Sequence, residues 1–227
     1  MSMELEKGIC QPEGRGQLIV IDGVGGSGKT TQIGFVEKIL QKNNLEVVVT
    51  REPGGLESAE SIRQLIFDLR ERNLIGPEGQ MTLFFAARKL WLHGVVKPNI
   101  DNGVNVLTDR SHTSTGAYQG YAEGGDMDKI LKIADVVMRG YKPDAIIFLD
   151  IDLETSLKRR GKNSEGDPFD KQGNEYLARL IAGYRKMAED NWDGLKWYTI
   201  DGNQTPELVT KSIAKVLKNI FKKDLIE

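Results

Sequence analysis

Two rhythms of apolar residues alternate along this 227-residue chain. Short apolar runs recur at residues 17–21, 45–49, 104–108, 144–149 and 196–200, the pattern of strands covered on both faces. Between them the spacing changes to that of helices. Ile33, Val36, Ile39 and Leu40 share one face of a helix predicted over 31–42, and Ile62, Leu65, Ile66 and Leu69 one face over 58–72. Residues 79–96 predict a long helix ending near Pro98, with further helices over 126–139 and 176–191. Thr205-Pro206 opens the last helix, whose stripe of Val209, Ile213, Val216, Leu217 and Ile220 reads as core. Residues 158–173 hold many charges and glycines and predict a flexible lid-like loop. With no repeat and no linker, the alternation predicts an α/β fold in one domain over 17–227. Its five-stranded parallel sheet should be flanked by helices on both faces, and residues 1–16 should form a flexible extension.

Composition narrows the function. At 39% hydrophobic the chain can bury a core, and a net charge of −2 argues against wrapping nucleic acid. Bound phosphates must then be met by locally placed Arg and Lys. Cys10 is the single cysteine, which excludes an internal disulfide, and His93 and His112 lie too far apart in sequence to suggest a histidine metal site. No run approaches 18 apolar residues and residues 1–16 lack an apolar signal core, so a cytoplasmic protein with no membrane partner is expected.

The chemistry concentrates in Gly23-Val24-Gly25-Gly26-Ser27-Gly28-Lys29-Thr30, which fits G-x-x-x-x-G-K-[ST] between a predicted strand and a predicted helix. Glycines at 23, 25, 26 and 28, together with Ser27 and Thr31, would turn backbone N–H groups toward phosphate oxygens at a helix N-terminus. Lys29 would reach the β and γ phosphates of ATP, and the Thr30 hydroxyl would ligate Mg²⁺. This predicts a P-loop NTPase fold. Asp109-Arg110 closes the third predicted strand, where ligands collect in an open α/β sheet. Asp109 is a second candidate Mg²⁺ ligand and Arg110 a phosphate clamp.

Four further segments follow in order: Thr50-Arg51-Glu52-Pro53-Gly54-Gly55, Glu60-Ser61-Ile62-Arg63, Phe84-Phe85-Ala86-Ala87-Arg88, and Asp109-Arg110 leading through Ser114 to Ala117-Tyr118-Gln119-Gly120. Behind such a phosphate loop the chain closely resembles the thymidylate kinase family over nearly its whole length. The resemblance implies transfer of the γ-phosphoryl of Mg-ATP to dTMP, giving dTDP and ADP, and a homodimer formed through helices near 84–96 and 126–139. It implies that Phe84 stacks on thymine and that Arg88, four residues on, binds O4. Thr115 and Gln119 would line the base, with Ser114 beside them, and Tyr118 would crowd the 2′ position. Arg63 and Arg110 would hold the monophosphate, with Arg51, Glu52 and Pro53 in the acceptor-side loop.

Several positions depart from the family's pattern. Gly26 stands where some members carry an Arg, so the cation that meets the transferring phosphoryl must come from elsewhere. Arg160, then Lys162, are the candidates in the charged segment, although Pro168 takes the place of the lid's usual Arg. Gly25 replaces an acidic residue, Leu56 a Thr, and Asp22 a Glu. Two alternatives stay open: a related kinase for another pyrimidine monophosphate such as dUMP, and a nucleotide-binding switch without transfer activity.

Overall fold

Five parallel strands form one sheet in the computed structural model, which describes residues 14–161, 169 and 172–226. In chain order they are β1 (Leu18–Asp22), β2 (Val47–Arg51), β3 (Asn105–Asp109), β4 (Ala145–Asp150) and β5 (Trp197–Asp201), arranged 2-3-1-4-5. All five strands were visible as apolar runs, each displaced by one or two residues. β1 is fully buried at the centre, and its side chains alternate between two cores. Ile19 and Ile21 join Leu107, Ile147 and Leu149 beneath α1 (Lys29–Lys42) and α9 (Pro206–Phe221). On the opposite face lie Leu18 and Val20, with Val106, Ile146 and Phe148. This double burial accounts for runs with no polar alternation.

The opposite face is covered by α3 (Pro77–Trp91), α6 (Met127–Val137) and α8 (Asn174–Glu189), with α2 (Glu57–Glu71) packed on α3. The predicted helix over 79–96 does not stop near Pro98. A π-helical turn over Leu92–Val96 joins α3 to α4 (Lys97–Asp101), so the helical path continues to Asp101. Pro98 sits in the first turn of α4, and the carbonyl its missing N–H would have met belongs to Gly94 in the wide turn. Leu56, in place of the family's Thr, caps α2 without a side-chain hydrogen bond and packs its methyl groups over Gly94.

A second correction concerns the charged segment. Lys158, Arg159 and Arg160 are the last turn of a helix, α7 (Leu153–Arg160), and not loop. Asp152 caps it by accepting the Thr155 N–H at 2.7 Å, a signal the sequence carried. Lys162 and Pro168 lie outside the described residues. Of the expected N-terminal extension, Arg15 donates to the Gly140 carbonyl at 2.9 Å and Gly16 to that of Ile100 at 2.9 Å.

Register brings the chemistry to one sheet edge. Ile21 pairs with Asp109 and Arg51 pairs with Asp109 on the other side, so the loops after β1, β2 and β3 emerge together. After β3, α5 (His112–Thr115) runs into a π-helical segment, Gly116–Ala122, and α8 packs against that segment. Gly183 on α8 permits the contact, since a Cβ there would collide with Tyr121. Gly183→Ala should destabilise the protein by about 1–3 kcal/mol through overpacking, measured as a lower urea midpoint at unchanged slope.

Candidate active site

Asp22, the last residue of β1, is completely buried and organises the site. Its Oδ1 accepts the Gly23 N–H at 2.8 Å, the Ser114 hydroxyl at 2.9 Å and the Tyr184 hydroxyl at 2.7 Å. Its Oδ2 accepts the Thr113 hydroxyl at 2.6 Å. One carboxylate therefore ties the phosphate loop to the segment after β3 and to α8. Ser114 is spent on this carboxylate, while the helix N-cap is Ser111.

The loop has the conformation its glycines permit. Gly23, Gly26 and Gly28 adopt φ of 147°, 78° and 94°, values that L side chains rarely take. Gly28 caps α1, so Lys29, Thr30 and Thr31 form its first turn, with both threonines exposed. Ser27 is buried, and Gly25 accepts the Ser156 hydroxyl at 2.7 Å. Lys29 curls back to donate to the Gly23 and Val24 carbonyls, each at 3.1 Å.

Arg110 reaches the same place from β3. Its NH1 donates to the Gly23 carbonyl at 3.2 Å, to Ser114 at 3.1 Å and to the Tyr184 hydroxyl at 3.3 Å, while NH2 donates to Tyr118 at 3.1 Å. The two cations thus share one carbonyl oxygen. Arg110 has φ of 72°, a left-handed backbone that costs a non-glycine residue about 1 kcal/mol or more and occurs where surroundings enforce it. Burial works against its charge, but Tyr118, Tyr184, Asp109 and Asp22 hold it well above the ordinary arginine value. Beside it Asp109 keeps Oδ1 buried with no partner among the described residues.

A cleft of about 170 Å³ opens next to this pair. Its floor holds a buried ion pair, in which Arg88 NH2 donates to Glu52 Oε2 at 2.6 Å and to the Thr115 hydroxyl at 3.1 Å. Burial raises the Glu52 pKa more than Arg88 lowers it. Nε and NH1 of Arg88 are buried with no partner among the described residues, so two donors stay available at a fixed place. Pro53, Phe84, Tyr118 and Gln119 line the walls, with Arg51 and Arg63 at the mouth. Those two arginines meet at Glu60, which accepts Arg51 at 2.6 Å and lies 3.7 Å from Arg63. Burial opposes ionisation of Glu60, yet Arg51, the Gly55 N–H and Arg63 bring its pKa below the ordinary value.

The sequence did not point to Phe67 and Phe169 as cleft residues. Phe169 is buried, with ring centroids 6.1 Å from Phe84 and 5.4 Å from Tyr118. Tyr184 and the anchoring role of Asp22 were missed too. At the loop's outer edge Gly26 meets α7. A Cβ there would lie 3.0 Å from the Ser156 carbonyl oxygen and 3.3 Å from Arg160 Cγ. Arg159 is committed elsewhere, donating to the Gly202 carbonyl at 2.7 Å.

No group of three His, Cys, Asp or Glu residues suited to a metal occurs among the described residues, and no helix there is long and apolar enough to cross a membrane. His112 is instead structural, fully buried with Nε2 2.9 Å from Asp193 Oδ2.

Comparison with known proteins adds to this geometry. A family model described as thymidylate kinase matches residues 21–213. The chain is similar to the thymidylate kinase of Hahella chejuensis (strain KCTC 2396), 36% identical over 203 residues covering 89% of this chain and 96% of the relative. It is 34% identical to that of Francisella tularensis subsp. tularensis (strain WY96-3418) over 205 residues, covering 90% and 97%. The thymidylate kinase of Francisella philomiragia (strain ATCC 25017) is 33% identical over 205 residues, covering 90% and 99%.

His112 gives the site a pH dependence. Burial lowers its pKa below the ordinary 6.5, outweighing the pull of Asp193. Below that value the unfolded chain takes up a proton that the native state resists, so stability should fall as pH drops through and below about 6.5. His112→Gln should lower Tm at neutral pH yet flatten its decline between about pH 7 and 5, measured by calorimetry.

Proposed function

The chain belongs to the thymidylate kinase family and is an ATP-dependent phosphotransferase acting on dTMP; we propose that it works through two anion sites joined at the Gly23 carbonyl. The observation that carries this reading is that Lys29 and Arg110 donate to the same oxygen. A donor phosphate on the loop and an acceptor phosphate at Arg110 are then neighbours, which is the main demand of phosphoryl transfer.

The acceptor is dTMP. Phe84 offers a ring to the thymine face, the spare donors of Arg88 meet O4, and Thr115 and Gln119 line the base. Tyr118, held by Arg110, crowds the 2′ position. Arg110 and Arg63 take the monophosphate, with Arg51, Glu52, Pro53 and Ser114 shaping the pocket. A phosphate oxygen of dTMP forms a bond to the γ phosphorus as the bond to the ADP oxygen breaks. That oxygen is already ionised at neutral pH, so no strong base is needed.

ATP sits on the loop from Gly23 to Thr31, with Lys29 toward the β and γ phosphates. The residues suit Mg²⁺: Asp109 holds an unsatisfied buried oxygen and the Thr30 hydroxyl is exposed on the first turn of α1. Together they would hold the ion, which when bound offsets phosphate charge. Arg160 is the cation for the transferring group, because its stem lies beside Gly26 of the phosphate loop. Lys162 stays second to it. A cytoplasmic homodimer belongs to the same reading: Leu90 on α3 and Val136 on α6 are exposed, and Lys89 links the two helices at the Val137 carbonyl.

An ADP-release assay tests the assignment. Activity should depend on acceptor, with dTMP preferred over dUMP, and Lys29→Met should abolish it while far-UV circular dichroism stays native. Acceptor-independent ADP release would overturn the reading. Arg160→Met should lower kcat about 10²–10³-fold with little change in either KM, measured by steady-state kinetics, as expected for a group that acts mainly in the transition state.

A further inference from the structure

A polar chain outside the catalytic cluster runs behind the wall of the cleft. Arg70 on α2 donates through NH1 to Gln80 Oε1 on α3 at 2.8 Å and to Glu123 at 2.6 Å. Glu123 also accepts the Tyr176 hydroxyl at 3.3 Å, and the Arg70 guanidinium lies 3.9 Å from the Phe169 ring centroid. Gln80 Nε2 donates to the Ile75 carbonyl at 3.3 Å, and Gln119 Nε2 donates to Gln80 Oε1 at 3.3 Å. Gln80 and Gln119 are both buried at 2% exposure, so water does not compete for these contacts.

The polarity of this chain has one consistent solution. A carbonyl only accepts, so the nitrogen of Gln80 must face Ile75. A guanidinium only donates, so the oxygen of Gln80 must face Arg70, and the two demands agree. That oxygen then requires a donor from Gln119, which turns the Gln119 nitrogen inward. Its Oε1 is left at the other end of the amide, and among the described residues it accepts no hydrogen bond. Gln119 and Arg88 line the same cleft.

We propose that Arg70 and Gln80 are positioning residues that lock the Gln119 carboxamide with its oxygen toward the acceptor base, so that the cleft recognises N3–H. The inference rests on the dTMP reading above and deepens it. Arg88 supplies donors for a 4-carbonyl and Gln119 an acceptor for N3–H, an edge that thymine presents and cytosine reverses. Without the chain behind it, Gln119 could rotate by half a turn and present a donor, and half of the recognition would disappear.

The test compares kcat/KM for dTMP with that for 5-methyl-2′-deoxyisocytidine monophosphate, which keeps the 5-methyl and 4-carbonyl groups but makes N3 an acceptor. The wild-type enzyme should prefer dTMP. Gln80→Leu should cut that preference about tenfold or more, as should Arg70→Met if the leucine variant folds poorly. Gln80→Glu keeps an acceptor for both Arg70 and Gln119 and should hold the preference within about threefold. A merely structural role would lower Tm and reduce both substrates in proportion, leaving the preference unchanged, and that result overturns the proposal. Gln119→Leu separates the two levels. A preference lost there but kept in Gln80→Leu and Arg70→Met sinks the positioning role alone. A preference kept in Gln119→Leu sinks the base-reading role and the proposal with it.

Discussion

The site depends on one carboxylate kept dry. Asp22 leaves the central strand with no exposure and is surrounded by donors from three parts of the chain: the Gly23 amide, the hydroxyls of Thr113 and Ser114, and the hydroxyl of Tyr184. A buried charge is tolerated only when it is hydrogen-bonded on all sides, so each donor is held where the carboxylate needs it. Asp22 therefore acts as a mould. The glycine-rich loop and Arg110 are both fixed relative to the end of β1. The shorter Asp suits this role, since its oxygens remain close to the backbone amide of the next residue.

The cleft beside it separates two tasks. Phe67, Phe84, Tyr118 and Phe169 provide apolar walls that fit a flat ring, while the Glu52–Arg88 pair lies beneath them with unspent donors. Burying such a pair gains little stability, and removing one partner typically costs about 3–5 kcal/mol. Its use is geometric. Glu52 holds Arg88 still, so the remaining N–H groups point to a set place before any ligand arrives.

How much of this was legible in the sequence depended on distance along the chain. The phosphate loop is contiguous, and its glycines appear at the positive φ values that make them necessary. Asp109-Arg110 was legible because strand ends collect ligands, whereas Phe84 and Arg88, though on one helical face, were marked out only by the family resemblance. The partners that aim these groups were not. Tyr184 lies 74 residues from Arg110, Asp193 lies 81 from His112, and Glu123 lies 53 from Arg70. Only tertiary packing brings such pairs together, and no local pattern announces them. The helix α7 was missed for another reason: its eight residues are mostly polar, and Asp152 was its one clear marker. Pro98 misled because it falls in the first turn of α4, where proline is tolerated, directly after a π turn that carries the helical path to it.

The contact between Gly26 and α7 limits how such a site can change over time. The loop glycine has positive φ and the helix carbonyl of Ser156 sits where its first side-chain atom would go. A cation on the loop and a cation stem from α7 therefore compete for the same few cubic ångströms. A side chain at position 26 would require α7 to shift, so loop and helix are coupled by volume as well as by the Ser156–Gly25 hydrogen bond.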